Sequence, residues 1–196
     1  GNGHILMGDG TGNFTLRSTI TGTHDRAAVG DLDLDGDTDV VIANRNVSPQ
    51  TVMVYLNDGA ANFTQAGPTY TIAGANTLIV IEMGDLNGDG LPDIAAPGQF
   101  GPSGVVPYIL PGLGGGMFGP PTPILPVSAG RDFALADINS DGSLDFVSTG
   151  GPGTFVYLND GLGTFTATQL NAPVQAYGVA VGDLNGDGKN EVAAMI

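Results

Sequence analysis

The sequence predicts an all-β fold, and three observations carry that expectation. An acidic nine-residue phrase occurs four times: Asp31-Leu-Asp33-Leu-Asp35-Gly36-Asp37-Thr-Asp39, Asp85-Leu-Asn87-Gly-Asp89-Gly90-Leu91-Pro-Asp93, Asp137-Ile-Asn139-Ser-Asp141-Gly142-Ser143-Leu-Asp145 and Asp183-Leu-Asn185-Gly-Asp187-Gly188-Lys189-Asn-Glu191. Between the copies, a second phrase reads as strand, glycine-rich hairpin and strand opening on Phe: Val54 to Phe63 and Val156 to Phe165, with looser versions at 5–14 and 109–118. Its Asn-Asp-Gly core supplies the positive-φ residues that such turns need. The period is regular: the loops start 54, 52 and 46 residues apart, and the hairpin Phe residues fall 49, 55 and 47 apart. A repeat of about 50 residues holding four short strands predicts a β-propeller of four-stranded antiparallel blades, in four repeats.

Each unit runs strand a, acidic loop, strand b, strand c, hairpin, strand d. In the first unit the strands are expected at 27–29, 40–43, 51–56 and 63–65. In the second they are expected around 79–83, at 94–96, at 105–110 and from Phe118. In the third they fall at 133–136, 146–148, 154–158 and 165–167. The fourth supplies only a (177–181) and b (192–195), while residues 4–16 read as a c–hairpin–d without an a–b pair. The domain is expected to be single, over 1–196, with units 1–20 (partial), 21–70, 71–122, 123–171 and 172–196 (partial). Two arrangements fit: the N-terminal hairpin closes the last blade within one chain, or the chain is part of a larger or self-assembled ring. Closure would remove unpaired edges.

Oxygen-bearing residues at loop positions 1, 3, 5 and 9, with glycine at position 6, point to a hard cation, and calcium takes such ligands in a flexible geometry. The charge agrees. The chain has 20 acidic and 5 basic residues, net −15. The first loop holds five acids and each of the others three, so most of the acidity is local ligand charge. Four calcium ions, one per loop, would leave roughly −7, ordinary for a soluble domain. Nucleic acid is disfavoured as a partner, because only Arg17, Arg26, Arg45, Arg131 and Lys189 could meet phosphates. No apolar run is long enough to insert in a bilayer, Cys is absent, and without an initiator Met or leader-like segment the chain reads as a mature or excised piece.

The stretches Tyr177-Gly-Val-Ala-Val-Gly-Asp183-Leu-Asn-Gly-Asp-Gly and Asp93-Ile-Ala-Ala-Pro97-Gly resemble the FG-GAP/VCBS repeat family, the blades of integrin-α-type propellers and of many secreted bacterial and fungal proteins. The resemblance covers essentially the whole chain. It implies calcium in the a–b loop of each blade, an extracellular (secreted or cell-surface) location, and cell adhesion or ligand binding. It implies side-chain ligation by Asp31, Asp33, Asp35 and Asp39, by Asp85, Asn87, Asp89 and Asp93, by Asp137, Asn139, Asp141 and Asp145, and by Asp183, Asn185, Asp187 and Glu191. Position 7, which is Asp37, Leu91, Ser143 or Lys189, would ligate through its carbonyl. Glu191 replaces Asp and Lys189 adds a cation nearby, so the fourth site is expected to be the weakest.

Competing readings fail on context. An EF-hand needs a bidentate Glu at loop position 12 and flanking helices; position 12 here is Ile42, Ala96, Ser148 or Ala194. Gly114-Gly-Gly116-Met-Phe-Gly119 matches G-x-G-x-x-G but leads into Pro120-Pro121, not a helix. The clustered carboxylates are committed to the loops, and His4 and His24 are unpartnered in sequence, so no enzyme activity is expected. Asn13, Asn46 and Asn62 head N-x-Ser/Thr sequons.

Strand parity puts the a–b loops and c–d hairpins on one face of the ring. Arg26 and Arg131, at the start of strands a, and Arg45, in a b–c loop, then fall on the other, the expected partner face for a protein or glycan ligand. Three function classes remain: a calcium-stabilised adhesion scaffold, a lectin-like binder (for which only Tyr70 and Phe100 look loop-placed), and a non-catalytic accessory domain of a secreted enzyme.

Overall fold

The structure is a computed structural model describing residues 2–22, 26–44, 47–73, 77–78, 80–99, 105–124, 132–150, 153–170 and 176–195. Among these there is no helix, so none is long and apolar enough to cross a membrane. Every ladder is antiparallel.

An N-terminal hairpin, β1 (Gly3–Gly8) and β2 (Phe14–Ile20), forms its own sheet. The first full sheet is β3 (Arg26–Gly30), β4 (Asp39–Asn44), β5 (Gln50–Asn57) and β6 (Phe63–Ile72), paired in that order. β4 is buried throughout, and its alternation assigns its two faces. Val41 and Ala43 join Val52 and Val54 in a core shared with the second sheet, where they meet Ile81, Ile94 and Leu110. Val40 and Ile42 point the other way and cover Ile20 and Ile5 of the hairpin.

The second unit departs from expectation twice. Its strand a is not continuous: β7 (Thr77–Leu78) and β8 (Glu82–Gly84) both pair with β9 (Asp93–Gln99). Leu78 faces Gly98 and Glu82 faces Ala95, so this strand carries one residue more than its partner, and Ile81 is buried in the core at that point. Strand d does not open at Phe118. After β10 (Val105–Leu110) comes a side hairpin, β11 (Gly112–Gly114) and β12 (Met117–Phe118), and β13 (Thr122–Pro123) pairs with β10 instead. Gly114, Gly115 and Gly116 all have positive φ, a turn tight enough to fold Phe118 back into the core between the first two sheets. There its N–H donates to the Tyr70 hydroxyl at 2.9 Å, and the two rings meet edge to face at 6.0 Å.

The third sheet matches expectation: β14 (Asp132–Ala136), β15 (Asp145–Gly150), β16 (Gly153–Asn159) and β17 (Phe165–Gln169). Phe146 stacks on Tyr157 at 4.1 Å and packs with Leu86, Ala95 and Ile124 of the second unit. The chain ends in a two-stranded sheet, β18 (Gly178–Gly182) and β19 (Glu191–Met195), tied to the third by the Val179 N–H donating to Asp132 Oδ2 at 2.9 Å. The N-terminal hairpin does not close this last sheet: β1–β2 and β18–β19 are separate sheets among the described residues. Residues of all four units nevertheless meet at one cavity. Arg26 and Ala27 of the first unit, Ile81 and Glu82 of the second, Asp132 of the third and Tyr177 of the fourth line one cavity of about 520 Å³.

Candidate metal centre

Each acidic phrase folds into the same nest of backbone-to-carboxylate hydrogen bonds. The position-1 carboxylate accepts from the N–H of position 6: Gly36, Gly90, Gly142 and Gly188 donate to Asp31, Asp85, Asp137 and Asp183 at 2.8–3.0 Å. The side-chain oxygen of position 3 accepts from position 5, and that of position 5 from position 7. The tight coil requires left-handed backbone at position 4 as well as at the position-6 glycine: Leu34 and Ser140 adopt φ of 64° and 62°, where the other loops have Gly88 and Gly186. Position 7 contributes its backbone to this nest whatever its side chain, and the Asp37 carboxylate lies against Gly59 of the hairpin instead.

The position-9 carboxylates have a second role that sequence reasoning missed. Asp39, Asp93 and Asp145 are fully buried. One oxygen of each accepts the N–H of loop position 2: Leu32 at 2.8 Å, Leu86 at 2.9 Å and Ile138 at 2.8 Å. The other accepts the first hairpin N–H of the same unit: Asn57 at 2.8 Å, Gly112 at 2.7 Å and Asn159 at 2.8 Å. This residue therefore pins loop and hairpin together. The signal was an apolar residue at position 2 in every copy, of which Leu32 and Leu86 are buried. In the fourth loop, Glu191 keeps the position-2 bond, from Leu184 at 2.9 Å, but its other oxygen accepts the Asn185 side chain, at 3.1 Å, in place of a hairpin N–H among the described residues.

Loops and hairpins thus meet on one face, as strand parity requires. A hairpin also reaches the preceding unit: Asn159 Nδ2 donates to Leu86 O at 2.9 Å. The hairpins hold themselves closed, with Asp9, Asp58 and Asp160 accepting from backbone N–H groups two and four residues on. These bonds, with the Thr11 and Asn13 side chains first for Asp9 and the Asn62 side chain first for Asp58, hold the three carboxyls below the usual range. The sequon residues Asn13 and Asn62 use their Nδ2 groups in those bonds; Asn46 lies outside the described residues.

In the first loop, Asp31, Asp33 and Asp39 each offer a carboxylate oxygen, and these oxygens lie within 4.8 Å of one another. Burial first, then the negative charges of Asp35, Asp39 and Asp31, push the Asp33 carboxyl above its ordinary value. Such a group is short of positive charge, and its donor set fits a hard divalent ion. Each pinned oxygen has a second lone pair, so pinning and ligation are compatible. In the other three loops Asn87, Asn139 and Asn185 replace Asp at position 3. The other loops differ among themselves: burial pushes the Asp93 carboxyl up, whereas amide bonds from Gly188 and Gly186 lower Asp183 and that from Ser143 lowers Asp141.

Arg26 opens β3 and lines the cavity shared with Glu82, Asp132 and Tyr177. Arg45 and Arg131 lie outside the described residues, as do His24 and Phe100. Tyr70 is not a loop platform: it is buried within β6, held by Phe118.

A family profile described as FG-GAP-like repeat matches residues 31–96 and 137–194. No curated protein sequence matches the chain. Among solved structures, it is similar to an Agrocybe aegerita lectin with specific recognition of non-reducing terminal N-acetylglucosamine (18% identity, TM-score 0.52, covering 97% of this chain and 68% of that one). It is also similar to the V. cholerae biofilm matrix protein Bap1 (20% identity, TM-score 0.52, covering 95% of this chain and 26% of that one). These likenesses concern the fold alone.

Proposed function

The chain belongs to the FG-GAP-like repeat family, and from that premise we propose that it is a calcium-binding β-propeller module, an extracellular scaffold that presents loops to a protein or glycan ligand and is not itself an enzyme. The observation that supports calcium most is the Asp31, Asp33 and Asp39 group, with the same backbone nest repeated in all four loops. Calcium would neutralise carboxylates that otherwise repel. By bridging positions 1, 3, 5 and 9 it would lock each of the first three loops to the hairpin that position 9 already holds. Calorimetric titration of chelator-treated protein is expected to count about four ions, the last the weakest, and thermal unfolding to shift upward with calcium by mass action. A melting temperature indifferent to EDTA would overturn this reading.

A second reading is carbohydrate binding. It is favoured by a groove of about 350 Å³ between the second and third units, where Leu86, Ile109, Ile124 and Phe165 face Asn87 and Thr122, and by the fold shared with a lectin that recognises N-acetylglucosamine. A glycan array, with N-acetylglucosamine-terminated probes included, tests it directly; binding nowhere on the array leaves the scaffold reading alone.

A further inference from the structure

Asn159, 3% exposed at the first hairpin position of the third unit, holds two acidic loops at once. Its backbone N–H donates to Asp145 Oδ1 at 2.8 Å, and its Nδ2 to the Leu144 carbonyl at 3.0 Å, both in the third loop. The same Nδ2 donates to the Leu86 carbonyl of the second loop at 2.9 Å, between Asp85 and Asn87. Its Oδ1 accepts the Gly161 and Gly163 N–H groups, both at 3.2 Å. Both donors and the oxygen of the side chain are therefore engaged, and the amide cannot turn without opening the hairpin.

Backbone shape enforces the same contact. Position 4 of an acidic loop tolerates a side chain on left-handed backbone, as Leu34 and Ser140 show at φ 64° and 62°. At Gly88 a Cβ would instead run into the carbonyl oxygen of Gly161, so glycine there lets the third hairpin close on the second loop. The first two loops lack such a bridge. The counterpart of Asn159 in the second unit is Gly112, which keeps the pin to Asp93 at 2.7 Å but has no side chain to reach the first loop. The fourth loop meets the third differently, through Asn190 Nδ2 donating to Asp137 O at 2.6 Å.

We propose, on the strength of the calcium reading above, that Asn159 is a positioning residue shared by the second and third loops, so that calcium binding at either raises the affinity of the other. Whichever loop is ordered first fixes the Asn159 amide and the third hairpin. The other loop then binds without that ordering cost. Linkage makes the effect reciprocal, and the first loop stays outside it.

The Gly36, Gly90, Gly142 and Gly188 N–H groups each bond the position-1 carboxylate of their own loop, so their NMR amide resonances report the four loops separately. In chelator-treated protein titrated with calcium, Asp89→Ala is expected to move the Gly142 midpoint to about fivefold higher calcium or more. Asp141→Ala should move the Gly90 midpoint by the same factor, while Gly36 keeps its parent midpoint in both. Asn159→Gly, which copies the second unit, should cancel both shifts. Where it does not fold, Gly88→Ala, which displaces the same hairpin, takes its place. A Gly142 midpoint indifferent to Asp89→Ala overturns the coupling and leaves the calcium reading intact. Shifts that persist in Asn159→Gly overturn the role of Asn159. Four amides that ignore calcium in the parent overturn the calcium reading and the coupling with it.

Discussion

The carboxylate of Asp145 accepts the backbone N–H of Asn159 at 2.8 Å, and both residues are buried. That bond joins an acidic loop to a hairpin fourteen residues away, and Asp39 and Asp93 make its equivalents to Asn57 and Gly112.

Removing the charge while keeping the shape tests the pin. Asp145→Asn should cost about 1.5–3 kcal/mol in urea unfolding, because a charge-assisted acceptor serving one buried and one partly buried N–H is replaced by a neutral one. Measured in EDTA, the loss cannot arise through calcium. Glu191→Gln, whose bonds to Leu184 and Asn185 are exposed, should cost less than about 1 kcal/mol.

Leu34 sits at φ 64° with its side chain 57% exposed, so it carries left-handed strain without packing in return. Leu34→Gly should raise stability by up to about 1 kcal/mol: relief of about 1–2 kcal/mol, less the greater freedom of Gly in the unfolded chain. Gly36→Ala, at φ 95°, should move the melting temperature in the opposite direction.

Glu82 gives a pH signature. Burial, and then the negative charge of Asp132, raises its carboxyl above the ordinary 4.5. The folded state therefore holds this proton more tightly, and the contribution is favourable below 4.5 and lost as pH rises through the folded value. In EDTA, Glu82→Gln should be more stable than the parent at about pH 7, with the difference closing toward about pH 4. The lowered carboxyls of Asp141 and Asp183 have the opposite sign: their contribution is present above 3.8 and lost on further acidification in parent and variant alike.

Tyr157 is 1% exposed, and its hydroxyl has no hydrogen-bond partner among the described residues. Removing an orphaned polar group is favourable when its ring packing against Phe146 is kept. Tyr157→Phe should therefore be neutral or stabilising by about 1 kcal/mol in denaturant unfolding; a clear loss would mean that the hydroxyl is satisfied in solution.

Much was legible in sequence because it is local. The Asn57-Asp58-Gly59 and Asn159-Asp160-Gly161 hairpins, the acidic loops and nearly every strand follow from period-2 patterning and turn chemistry, which act within a few residues. The misreadings involve contacts at a distance. Phe118 occupies a hairpin-Phe position in the repeat, yet the core and the Tyr70 hydroxyl 48 residues away claim it, so strand d moves to β13. Tyr70 looks like a loop aromatic in sequence for the same reason. Asp39, Asp93 and Asp145 read as ligands alone because their hairpin partners lie 18, 19 and 14 residues away.

The sequence by itself determined an antiparallel repeat with one acidic loop per unit, since each unit's strands, turns and charge cluster are encoded within that unit. Only the tertiary structure decided that position 9 is a buried pin between loop and hairpin, and that three first-loop carboxylates converge. The physical reason is the same in each case: burial and hydrogen-bond satisfaction are settled between segments, and no single segment records what will pack against it.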